Sequence, residues 1–90
     1  MKDIIINSSD YEYLIANITD KEIVESIKKD SEQKFTSFHL LIDEYLCEKI
    51  LDFLSNKLIQ SGLRDNDEPN NFGLYLENLI DKFSDPFYNG

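Results

Sequence analysis

Apolar residues recur along the chain at helical spacing, and the pattern is densest between Ser31 and Gly62. That stretch contains no Pro and no Gly before its last residue. Wound at about 100° per residue, Phe35, Phe38, Leu40, Ile42, Tyr45, Leu46, Ile50, Leu51, Phe53, Leu54 and Leu58 cover well over half the circumference. Glu44, Glu48, Asp52 and Ser55 fill most of the rest as one narrow polar stripe. A helix this apolar must be surrounded by other elements. The pattern predicts a central helix over about 33–61, stopped by Gly62.

The flanking segments repeat the helical signal more weakly. Ser9-Asp10-Tyr11-Glu12 reads as a capping box, with Ser9 as N-cap and Glu12 at the third helical position. Tyr11, Leu14, Ile15 and Ile18 then follow at i, i+3, i+4 and i+7, which predicts a helix over 10–17. The rival is a strand through Tyr11, Tyr13 and Ile15 that folds back on Ile4–Ile6 as a hairpin. Ile4–Ile6 itself reads as a short strand or arm with no evident partner strand. Thr19-Asp20-Lys21-Glu22 repeats the capping box and opens a helix over 20–30 with a thin apolar face of Ile23, Val24 and Ile27. Residues 63–71 are polar and rich in turn formers, hence a loop. Phe72, Leu76, Leu79 and Phe83 make a heptad-like stripe, which predicts a last helix over 71–83, ended by Asp85-Pro86.

The expected fold is therefore one all-α domain of four helices around a long central one. Its expected core is Leu14, Ile18, Ile23, Ile27, Phe38, Ile42, Leu46, Ile50, Phe53, Leu54, Leu76, Leu79 and Phe83. The wide apolar face of 33–61 leaves both a monomer and a homodimer open.

Composition narrows the function classes. Eighteen acidic residues against nine basic ones give a net charge of −9, spread over all three thirds of the chain. A surface of this sign repels phosphate backbones and anionic lipid and attracts basic partners. Lys28-Lys29 is the only basic doublet, too little for a nucleic-acid site. One cysteine, Cys47, excludes an internal disulfide framework and fits a reducing compartment. No apolar run approaches the roughly 18 residues of a membrane span, and the N-terminus has no secretory signature. The expectation is a cytoplasmic chain.

The candidate chemistry is thin. On one helix, Cys47 and His39 would lie about 12 Å apart along the axis, too far for a thiolate–imidazolium pair, so Cys47 is expected in the core. His39 and Asp43 stand at i, i+4, which predicts a local contact; two ligands alone do not make a metal site. Asp65-Asn66-Asp67 resembles the start of a calcium loop, but Pro69, Asn70 and Leu76 stand where a ligand, a glycine and a bidentate glutamate are needed. No metal, no cofactor and no catalytic residue is expected. What remains is acidic surface. Glu44, Glu48 and Asp52 fall on one helical face, and Asp65, Asp67 and Glu68 cluster on the loop. These six are the expected contacts to a basic protein partner.

The segment from Leu40 to Phe83 joins Leu-Leu-Ile-Asp-Glu-Tyr-Leu to the acidic loop Arg-Asp-Asn-Asp-Glu-Pro-Asn-Asn and then to Gly-Leu-Tyr-Leu-Glu-Asn-Leu-Ile-Asp-Lys-Phe. In composition and layout it resembles the immunity proteins of bacterial toxin systems, such as those of colicins and contact-dependent inhibition toxins. The likeness assigns no single residue a family role. It implies a one-to-one inhibitor that covers a basic toxin surface, usually the active site of a nuclease, with its own acids. A regulatory or anti-defence mimic of nucleic-acid charge, and a structural subunit or homodimer, are the alternatives.

Overall fold

A computed structural model of the chain describes residues 1–65 and 68–89. The N-terminal isoleucines form strand β1 (Lys2–Asn7), followed by helices α1 (Ser8–Asn17) and α2 (Lys21–Lys29). Two short strands, β2 (Ser31–Lys34) and β3 (Ser37–Ile42), come next, then helices α3 (Glu44–Ser61) and α4 (Asn71–Ser84) and a π-helical turn at Asp85–Asn89. The strands form one antiparallel sheet in the order β1-β3-β2. The protein is therefore mixed α/β, not all-α.

The correction falls inside the expected central helix. Residues 31–42 are a β-hairpin, and only 44–61 is helical. The reason is a coincidence of periods. Phe38 and Ile42, four apart, satisfy a helical repeat, but with Leu40 between them they also alternate at period 2. The register decides for the strand. Ile4 pairs with Leu40 and Ile6 with Phe38, so β1 finds its partner within the stretch that reads as helix. Ile4, Ile6, Leu40 and Ile42 are buried, whereas Asp3, Ile5 and Leu41, on the other face, are exposed. The rival hairpin between Ile4–Ile6 and Tyr11–Ile15 does not form, since 8–17 is helical.

Each helix begins on a side-chain cap. Asn7, not Ser9, caps α1 by accepting from the Asp10 N–H at 2.7 Å. Asp20, not Thr19, caps α2 through the Glu22 N–H at 3.0 Å. Asp43 caps α3 through the Leu46 N–H at 2.7 Å, which explains the sharp switch from strand to helix there. Asn70 caps α4 through the Gly73 N–H at 2.8 Å.

α3 and α4 return on one another around two glycines. A side chain on Gly73 would overlap the Gly62 carbonyl, and one on Gly62 would stand 2.9 Å from the Gly73 Cα. Gly62 ends α3 with φ −100°, so smallness rather than left-handed freedom is what it supplies. The Gly62 carbonyl accepts from the Asn70 N–H at 2.8 Å, and Leu63 bridges to Pro69, which closes the connecting loop.

The core joins Ile4, Ile6, Leu40 and Ile42 of the sheet to Leu14, Ile18, Ile27, Leu46, Cys47, Ile50, Leu54, Leu76, Leu79 and Phe83 of the helical segments. Ile23, Phe38 and Phe53, also expected there, are half-buried at its edge. The Tyr11 ring stacks on Phe38 with centroids 3.8 Å apart, fixing α1 against β3. Among the described residues, no helix is long and apolar enough to cross a membrane.

Candidate functional site

α3 carries the acidic stripe. Glu44, Glu48 and Asp52 are all exposed, and their spacing puts them on one face over about 12 Å of axis. The opposite side of the helix buries Leu46, Cys47, Ile50 and Leu54. The phase expected from the sequence therefore holds within 44–61, although the helix is shorter. Among the described residues none of the three carboxylates is in an ion pair. Like charges at i, i+4 destabilise a helix by a few tenths of a kcal/mol per pair, about 0.2–0.5.

The C-terminal turn adds an aromatic to this face. Partial loss of water, together with the nearby Glu48, Cys47 and Glu44, pushes the Tyr88 phenol above its ordinary range. Tyr88 remains half exposed. No helical or strand period links it to α3, so nothing in the sequence points to this neighbour. On the adjoining face of α3, Tyr45 is largely exposed, with the Lys49 ammonium 5.4 Å from its ring centroid.

The loop acids form a separate group. Asp65 and Glu68 are exposed and lie past the end of α3. Nine residues separate Asp52 from Ser61, so roughly 14 Å of helix intervenes. The backbone between them is closed by the Arg64 N–H on the Glu68 carbonyl at 2.7 Å. Asp67 lies outside the described residues. The structure thus unites Glu44, Glu48 and Asp52 and sets Asp65 and Glu68 apart from them.

The remaining chemistry-bearing groups are occupied within the fold. His39 does not meet Asp43. It lies on β3 between Ile5 and Glu32, with Nδ1 3.4 Å from Asp3 Oδ2, while Asp43 is used as the α3 cap. The expected i, i+4 contact fails because 37–42 is extended. Cys47 is fully buried, as expected, and its Sγ donates to the Phe83 carbonyl at 3.1 Å. Burial first, then Glu48 and Glu44, push its pKa from 9.0 up to about 11, the reverse of an activated thiol.

One buried acid was not evident from the sequence. Asp10 is 2 % exposed and accepts from the Tyr75 hydroxyl at 2.9 Å and the Lys82 ammonium at 3.0 Å. Burial and then the bond to Asp10 raise the Tyr75 phenol well above its usual range. The rings of Tyr13, Phe72 and Tyr75 pack edge-on or stacked beside it. The Tyr13 hydroxyl is buried with no hydrogen-bond partner among the described residues. Paired cations and acids of this kind hold elements together and present no nucleophile to solvent.

A cleft of about 180 Å³ opens between α2 and the start of α3, lined in part by Asp20, Glu22, Asp43, Tyr45 and Lys49. Asp20 and Asp43 already accept backbone N–H groups as caps. Among the described residues, no three His, Cys, Asp or Glu side chains are grouped to hold a metal ion. No protein-family model, no curated protein and no solved structure matches the chain.

Proposed function

We propose that this chain is an acidic binding protein that neutralises a basic protein partner, and specifically an immunity protein that inhibits a cognate bacterial nuclease toxin in the cytoplasm. The observation that carries the reading is the row Glu44, Glu48 and Asp52 on the exposed face of α3, without ion pairs among the described residues and flanked by Tyr88. Helix stability gains nothing from this arrangement. A basic surface brought against it gains steering and register from complementary charge. The aromatic beside it supplies the kind of side chain that anchors interfaces. The net charge of −9 extends the attraction beyond the contact itself. In this reading the partner's Lys and Arg, which would otherwise hold nucleic acid, are covered by carboxylates, and the chain needs neither a catalytic group nor a cofactor.

The test is co-expression with the product of the gene next to its own. The expected result is a one-to-one complex in which that protein's nuclease activity is lost. A neighbour that neither binds nor is inhibited contradicts the reading. Binding that is instead shared by unrelated DNA-binding proteins and displaced by duplex DNA would identify a nucleic-acid mimic.

A further inference from the structure

The tip of the β2–β3 hairpin presents an aromatic ring that the fold does not use. Lys34 pairs with Ser37, leaving Phe35 and Thr36 as a two-residue turn. Phe35 has φ 58° and is the one non-glycine described residue with a positive φ. It is the first central position of a two-residue hairpin turn, and a positive φ there favours glycine. Phe35 is also 97 % exposed, the most exposed large apolar side chain described. The backbone beneath it is pinned. Both the N–H and the hydroxyl of Ser8 donate to the Thr36 carbonyl, at 2.9 and 3.0 Å, and the Gln33 amide donates to the Phe35 carbonyl at 3.3 Å. The chain thus holds a phenyl ring in water, on a residue of positive φ, at a tip hydrogen-bonded from beneath. Strain persisting at an exposed position is the mark of a contact element.

We propose that Phe35 is an anchor that inserts into an apolar pocket on a basic, folded protein partner. A protruding ring needs a concave receptor, and aromatic side chains seated in such pockets dominate binding energy. Because the turn is already fixed, little ordering is lost on docking. The chain's charge of −9 selects a basic partner as a whole and opposes a second copy, nucleic acid or anionic lipid. The proposal rests on the basic-partner reading above and adds a second point of attachment. β3 (Ser37–Ile42) separates Phe35 from the start of the α3 stripe by about 20 Å of strand.

The experiment places the photo-crosslinking residue p-benzoylphenylalanine at position 35, and at Gln60 on α3 as control, in the full chain in its cell of origin. Irradiation at position 35 is expected to give an adduct with one basic protein that the Gln60 control does not give. Tenfold excess of unmodified chain should suppress it, and the Phe35→Gly chain should not. Phe35→Gly should also melt at a higher temperature than the parent, because glycine relieves the turn, so its failure to compete is not loss of folding. The inference is overturned if no adduct is specific to position 35, if Phe35→Gly competes as well as the parent, if it fails to melt higher, or if the adduct is a second copy of the chain. A Glu48→Lys/Asp52→Lys competitor separates the two proposals. If that competitor fails while Phe35→Gly competes, the α3 face stands and the anchor does not. If it competes while Phe35→Gly fails, the anchor stands and the α3 face does not.

Discussion

Lys82 Nζ lies 3.0 Å from Asp10 Oδ2, so α4 is bound to the first turn of α1 across 72 residues of chain. Asp10 is buried while the Lys82 side chain is 43 % exposed, and only the acid is fully withdrawn from water. Removing the cation strands a buried carboxylate, which is costlier than losing the attraction itself. Lys82→Met should therefore destabilise the protein by roughly 2–3 kcal/mol, below the loss for a fully buried pair because water reaches the ammonium. Asp10→Ala also removes the Tyr75 acceptor and should lose a similar amount. Urea unfolding of both variants and the double variant gives the coupling. Additive losses would show that the pair does not act as a unit.

Gly73 faces the Gly62 carbonyl with no room for a methyl group. Gly73→Ala should force α3 and α4 apart at the loop end and destabilise by about 1–3 kcal/mol, as overpacking does. It does so although alanine is the better helix former by about 1 kcal/mol. An unchanged or raised urea midpoint would show that the two helices do not meet there.

Cys47 fixes a pH dependence. Its folded pKa of about 11 lies above the ordinary 9.0. Below 9.0 both folded and unfolded thiols keep their protons and the contribution to stability is complete. As pH rises from 9.0 towards 11 the unfolded thiol ionises first, so stability falls. Unfolding measured at pH 8 and pH 10.5 should show this loss, and Cys47→Ala should lack its share of it. At pH 8 the native thiol should react with Ellman's reagent only as fast as the protein opens. Immediate labelling of the native protein would contradict its burial.

The helical patterns of α3 and α4 were legible outside the hairpin. Phe72, Leu76, Leu79 and Phe83 mark α4, observed at Asn71–Ser84. Within 44–61 the division between Glu44, Glu48 and Asp52 and the buried Leu46, Ile50 and Leu54 follows directly from helical phase. The sheet was not legible because its turn lacks the usual signal. The left-handed residue is Phe35, where a glycine would have marked a break. Asp43 in turn reads as one more polar residue of a long helix until the strand before it shows it to be a cap. The pairing of β1 with β3 is a long-range contact that no local period encodes. The same holds for Tyr88 beside Glu48 and Lys82 on Asp10, which depend on how the C-terminal segments return to the fold.

The most direct test of the acidic face is the association rate of the partner with Glu48→Lys/Asp52→Lys. Both residues are exposed on α3, so the variant should fold as the parent does, with an unchanged circular dichroism spectrum. Stopped-flow association across a range of salt concentrations should give a rate lowered by about tenfold or more at low salt and a flatter salt dependence. A rate and salt slope equal to the parent's would contradict the account and leave Glu44, Glu48 and Asp52 as a solvated surface only.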